Sequence, residues 1–193
     1  MKKITVYCGA NVGNNPIFAE QAYLLGKTLA QQQIGLVYGG GRVGLMGIIA
    51  NAVMENGGEV IGVIPQFLST KEIEHNDITE VIKVDTMHQR KSILFDLSDA
   101  FIAMPGGFGT MDELFEMLTW AQLGLHKKPI GLLNIDGFYD AFLTMLTTMV
   151  NKQFLRVENQ QMLLHSSDIQ SLLHQLKNYQ APEVTKWISK EYV

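Results

Sequence analysis

Five short apolar runs punctuate the chain: Ile4–Cys8, Ile34–Tyr38, Val60–Ile64, Ala100–Met104 and Ile130–Leu133. Runs of this length, ended by glycine, proline or a polar residue, read as strands buried on both faces. The intervening stretches repeat apolar residues at helical spacing and predict helices over about 16–33, 45–56, 87–98, 110–124 and 137–151. Strands alternating with helices imply an α/β doubly wound parallel sheet, with helices on both faces and right-handed crossovers. Glu80–Val84 predicts a short additional strand, and periodicity fades between Pro65 and Asp77. Asp168 reads as the N-cap of a helix running to Tyr179. No repeat, low-complexity segment or linker interrupts the pattern. Residues 1–193 therefore read as one domain, with a tail from about residue 181 left unassigned.

Ligands in such sheets bind beyond the carboxyl ends of the strands. Three glycine turns belong to that edge: Gly9 after Cys8, Gly39-Gly40-Gly41 with Gly44 after Tyr38, and Pro105-Gly106-Gly107-Phe108-Gly109-Thr110 after Met104. The last turn opens a helix in which Leu114, Met117, Leu118 and Ala121 recur at helical spacing. Unpaired N–H groups and the positive end of the helix dipole make it an anion site, and glycine lets backbone approach a phosphate without a Cβ in the way. Asp112 and Glu113 lie within the first turns. On spacing alone they fit either acids that complement a helix N-terminus or a group acting on the sugar that carries the phosphate. Gly39 to Gly44 also satisfies G-x-G-x-x-G. The following strand, however, ends at Ile64-Pro65-Gln66 without the acid that would bind a ribose diol, so a dinucleotide reading fails on context. Arg90 sits on the face of its helix shared by Met87, Ile93, Leu94 and Leu97, where a guanidinium must find an anion or snorkel to solvent. Lys91 lies about 100° further round, and His88 has no evident partner.

Composition narrows the classes. Hydrophobic residues make up 47% and charged residues 18%, as expected of a folded globule. A formal charge of −4 gives no electrostatic case for nucleic acid. Cys8 is the only cysteine, so neither an internal disulfide nor a thiolate metal cage can form. No His/Asp/Glu grouping has metal-ligand spacing, and neither a metal nor a cofactor is expected. Ile4–Cys8 is too short for a signal h-region, and no apolar run approaches the roughly 20 residues of a membrane span. A cytoplasmic protein is the default.

The segment Pro105–Glu113 has the form P-G-G-x-G-T-x-x-E and resembles the signature of the LONELY GUY (LOG) family of cytokinin riboside 5′-monophosphate phosphoribohydrolases. Members of this family were often mislabelled lysine decarboxylases. Val6-Tyr7-Cys8-Gly9, Tyr38-Gly39-Gly40-Gly41, Gly44-Leu45-Met46-Gly47, Val63-Ile64-Pro65, Met87-His88-Gln89-Arg90-Lys91, Thr119–Gly124 and Lys128–Asn134 also match in order and spacing, over about residues 4–165. Ala10 and Asn11 replace the serines usual after the first glycine, and Asp112 stands where glutamate is common. The resemblance implies a modified Rossmann fold and hydrolysis of the N-glycosidic bond of purine or N6-substituted adenine ribonucleoside 5′-monophosphates. It assigns catalysis to Arg90 and Glu113. Substrate contacts carried over by position are Glu72, Arg90, Lys91, Gly107, Phe108, Gly109, Thr110, Met111, Asp112, Glu113 and Thr119, with Gly39, Gly40, Gly41 and Gly44 lining the same crevice. The other reading on this scaffold is a non-catalytic nucleotide or molybdenum-cofactor carrier, which needs the phosphate loop but no acid beside the sugar.

The predicted 110–124 helix, with Leu125 just beyond it, carries Phe115, Met117, Leu118, Trp120, Ala121, Leu123 and Leu125, more than the single stripe that packing on a sheet requires. Thr119 points about 120° away from Glu113. A two-fold homodimer packed through this helix would reconcile both features with the family assignment. Cover from the Asp168–Val193 segment is the other explanation of the apolar face.

Overall fold

A computed structural model of the chain describes residues 1–69 and 74–183. The described residues form seven parallel strands: β1 (Lys3–Tyr7), β2 (Gly35–Tyr38), β3 (Val60–Pro65), β4 (Glu80–Val84), β5 (Ala100–Ala103), β6 (Ile130–Leu133) and β7 (Leu163–Ser166). Their order across the sheet is β4-β3-β2-β1-β5-β6-β7. The helices are α1 (Pro16–Gln31), α2 (Gly44–Glu55), α3 (Met87–Leu97), α4 (Phe108–Gln122), α5 (Asp140–Asn151), α6 (Val157–Gln160) and α7 (Ile169–Lys177). None is long and apolar enough to cross a membrane.

The apolar runs are continuous because each strand is covered twice. In-register pairing places Val60, Leu36, Ile4 and Ala100 in one row. All four face a core that also takes residues from α1, α2 and α7. One residue on, Val37, Phe101, Ile130 and Leu163 face the opposite core, with Leu94 of α3, Leu114 and Met117 of α4, and Phe142 of α5. Thr5 points to that second side, where its buried hydroxyl donates to Leu94 O at 3.0 Å. That bond ties α3 to the central strand.

All five apolar runs are strands, and Glu80–Val84 is a sixth. The seventh, β7, was not expected from the sequence. Leu163-Leu164-His165-Ser166 is a four-residue edge strand with its second half partly exposed, so it lacks both the length and the apolar density of a buried strand. Asp168 caps α7 as predicted, its Oδ1 accepting from Ser171 N at 2.7 Å. The helix after the third glycine turn begins at Phe108, two residues earlier than its pattern suggests.

The chain winds outward from β1 through β2, β3 and β4, and α3 then returns it to β5 on the other side of β1. Strand order reverses between β1 and β5, so the loops leaving these two strands separate and open a crevice at their carboxyl ends.

Candidate active site

A cleft of about 560 Å³ lies at this reversal. Its floor is the ends of β1 and β5, held together by Gly9 N donating to Pro105 O at 3.0 Å. Leu45 N at the start of α2 donates to Gly9 O at 3.0 Å, joining the second glycine loop to the first. Gly44 allows that contact: its φ is +64°, and a Cβ there would fall 2.2 Å from the carbonyl carbon of Ala10. The buried Tyr139 hydroxyl donates to Met104 O at 2.7 Å and fixes the end of β5 just before the third turn.

Two charged side chains meet inside. Arg90 projects from α3 beneath the second glycine loop, where Nε donates to Val63 O at 3.2 Å and Nη2 to Gly39 O at 3.5 Å. Nη2 also lies 3.6 Å from Glu113 Oε1 of α4. The inward arginine expected from sequence therefore has both carbonyl and carboxylate partners. Burial pushes the Glu113 carboxyl up to about 7; Arg90 opposes that shift, Asp112 adds to it, Lys91 opposes it and Glu116 adds to it. Glu113 thus sits near the point at which small changes of environment decide its charge. Burial also drives the Cys8 thiol well above its usual range, which makes it a packing group and not a nucleophile.

The third turn presents bare backbone. Gly107 is the N-cap of α4 and no side chain caps the helix. The first N–H groups of such a helix have no partner within it. A Cβ on Gly107 or Gly109 would meet nothing within 4 Å, so protein packing does not demand glycine at either position. Gly106 differs, because its Cβ would strike the Thr110 hydroxyl at 2.1 Å.

Of the residues singled out in the sequence, Gly39, Gly41, Arg90, Gly107, Gly109, Thr110 and Glu113 line the cleft together. Gly40, Gly44, Phe108, Met111 and Asp112 belong to the same loops and to α4 without lining it. Lys91 is turned into the α3–α4 seam, 3.1 Å from Asp112 Oδ2 and 3.2 Å from Glu116 Oε1. Thr119 is exposed, its hydroxyl donating to Phe115 O at 2.7 Å. Glu72 lies outside the described residues. Sequence reasoning missed the apolar walls. Phe18 of α1 and Phe138 before α5 meet edge to face at 6.2 Å, and Val12, Met46, Ile64 and Leu68 extend that lining. Such a surface suits a flat heteroaromatic ring.

Gly39 yields a direct test. A Cβ there would lie 2.0 Å from Arg90 Nη2, the free end of a flexible side chain. Gly39→Ala should therefore displace the guanidinium while the fold accommodates the methyl group. We expect turnover to fall toward the level of Arg90→Ala with little change in Tm. Near-normal turnover in the alanine variant would show that the guanidinium position is immaterial.

Fold and site define a Rossmann-like α/β protein with an uncapped helix start, a buried acid and an arginine in one crevice. The chain belongs to the LOG family. The family model described as "Possible lysine decarboxylase" matches residues 46–176. Cytokinin riboside 5′-monophosphate phosphoribohydrolase LOG7 of Arabidopsis thaliana is 45% identical over 189 residues, covering 98% of this chain and 87% of the relative. Cytokinin riboside 5′-monophosphate phosphoribohydrolase LOG of Oryza sativa subsp. japonica is 44% identical over 178 residues, covering 92% and 74%. Among solved structures, the molybdenum cofactor binding protein from Rippkaea orientalis superposes with a TM-score of 0.68 at 23% identity, covering 91% of this chain and 94% of that one. At that identity the likeness establishes the fold alone.

Proposed function

We propose that the protein hydrolyses the N-glycosidic bond of purine or N6-substituted adenine ribonucleoside 5′-monophosphates, releasing the free base and ribose 5-phosphate. The observation that carries this reading is the pairing of Glu113 and Arg90 in the same cleft as the uncapped start of α4. The names of the LOG relatives supply the substrate class. The N–H groups of Phe108, Gly109 and Thr110 take the 5′-phosphate, with Gly107 leaving the approach open. Met111 and Thr119 complete the assignment by position in the family, as does Glu72; Asp112 and Lys91, which the same resemblance assigns to substrate, pair with each other in the α3–α4 seam. The Gly39–Gly44 loop closes the crevice around the nucleotide. The Phe18–Phe138 wall receives the base.

Cleavage builds positive charge on the ribose as the bond to the base lengthens. Glu113, as the carboxylate, stabilises that charge or activates the attacking water, and its low-polarity surroundings strengthen the interaction. Arg90 orients Glu113 and the ribose. The test is a panel of nucleoside 5′-monophosphates, including AMP and N6-alkylated analogues, assayed for free base. Tight binding without base release from any of them would favour the carrier reading instead.

The protein is further proposed to work in the cytoplasm as a homodimer through α4. Among the described residues, Phe115 and Leu125 are exposed on and just beyond this helix, α7 packs in the opposite core, and the stretch after α7 approaches α4 only at its carboxyl end, beside Ala121 and Gly124; residues 184–193 of the Asp168–Val193 segment lie outside the described residues. An apolar face left in this way marks an interface. Light scattering at micromolar concentration should give twice the 21.6 kDa chain mass. A fully active monomer would remove the dimer and with it any role for Thr119 across an interface.

A further inference from the structure

Lys91 occupies a position that the family resemblance assigns to substrate, yet its ammonium is already held by Asp112 and Glu116 on α4. Its side chain is only 13% exposed and lines no part of the cleft. The neighbouring residue pair, Arg90 and Glu113, spans the same seam. Two adjacent ties therefore join α3 to α4, one inside the site and one behind it. Asp112, Glu113 and Glu116 crowd three carboxylates into little more than one helical turn, where like charges oppose one another. Among the described residues Glu116 Oε2 is buried without a hydrogen-bond partner, and the ion pair with Lys91 through Oε1 compensates this carboxylate.

We propose that Lys91 is a positioning residue: it neutralises Asp112 and Glu116 behind the site and locks α3 against α4, keeping Glu113 ionised and Arg90 aligned without touching the substrate. The inference rests on the reading of Glu113 as the reacting carboxylate. Among the described residues, the groups acting on Glu113 are Arg90 and Lys91 from α3, Asp112 and Glu116 from its own helix, and Tyr7 and Cys8 from the end of β1. Burial keeps Tyr7 and Cys8 neutral, so among the described residues the charges acting on Glu113 are two cations against two acids. Removing Lys91 leaves both acids acting on Glu113 with Arg90 as the one remaining counter-charge among these groups.

The decisive experiment titrates Glu113 by carbon-13 NMR of carboxyl-labelled protein, assigned against Glu113→Gln, and measures binding of ribose 5-phosphate in the same variants. Lys91→Met should raise the Glu113 midpoint by about one pH unit, the scale of one nearby charge. Glu116→Gln alone should lower it, and Lys91→Met/Glu116→Gln should recover most of the shift. Lys91→Arg should stay close to the wild type. Ribose 5-phosphate affinity in Lys91→Met should change by less than about threefold, since a screened, non-contacting charge adds little to binding. In turnover, the acid limb of kcat/KM moves with the midpoint, and kcat falls while KM holds. An unmoved midpoint in Lys91→Met, or in Glu116→Gln if the former does not fold, overturns the inference. So does a tenfold or greater loss of ribose 5-phosphate binding, which would make Lys91 a phosphate ligand. The midpoint is read without catalysis, so failure of the proposed hydrolysis shows separately, as absence of base release by the wild type.

Discussion

Glu113→Gln should abolish most turnover while leaving a protein that is folded, binds nucleotide and is more heat-stable than the parent above neutral pH. The amide keeps the shape of the side chain and loses the charge that stabilises the sugar cation. Removal of one preorganised electrostatic group of this kind costs on the order of 10²–10³ in kcat. The stability effect follows from the carboxyl being pushed up to about 7 in the folded protein. A raised carboxyl pKa means that the native state holds its proton more tightly than the unfolded chain. The associated stability is complete below the unfolded value near 4.5 and is lost as pH rises through about 7. At pH 8 the buried charge costs about 3 kcal/mol. Glutamine does not titrate, so the variant's gain in Tm should be present at pH 8 and absent near pH 4.5. The wild-type kcat/KM should rise with pH through about 7, the limb set by Glu113 ionisation. A flat profile, or a variant with near-normal kcat, would separate Glu113 from the chemistry.

The 5′-phosphate should contribute most of the selectivity. The start of α4 offers several N–H donors to a dianion, and each charge-assisted hydrogen bond is worth about 1.5–3 kcal/mol. Adenosine should therefore be cleaved with kcat/KM lower than that of AMP by a factor of about 10³ or more. The glycines refine the test. Gly109 lies inside a helix, where glycine costs about 1 kcal/mol relative to alanine, and no protein atom lies close enough to require it. Gly109→Ala should hold or slightly raise Tm while eroding the preference for AMP over adenosine, because the methyl group occupies the space through which the phosphate approaches. Equal cleavage of adenosine and AMP by the wild type would refute the phosphate assignment.

What the sequence disclosed follows from how local each signal is. The buried strands announced themselves because double coverage makes them apolar throughout, and Arg90 was conspicuous because a charge on an inward helical face demands a partner. That partnership now includes Gly39 O and Val63 O, from two different strand ends. The edge strand β7 escaped because one exposed side dilutes its pattern. Phe108 and Gly109 read as turn because glycine weakens the helical signal in the residues that start α4. The aromatic wall had no sequence signature, since Phe18 and Phe138 are brought together only by α1 and the turn before α5 crossing the end of the sheet. Lys91 illustrates the converse. The pattern placed it about 100° round the helix from Arg90, open between phosphate and solvent, and the family resemblance assigned it to substrate; the structure sets its ammonium in the seam between Asp112 and Glu116.

The most direct measurement follows AMP, or an N6-substituted analogue, through turnover in ¹⁸O-labelled water. Cleavage between C1′ and the base predicts equimolar free base and ribose 5-phosphate, with the label at the sugar C1 oxygen and none in inorganic phosphate. Label in inorganic phosphate, or stoichiometric binding with no base released, would contradict the account.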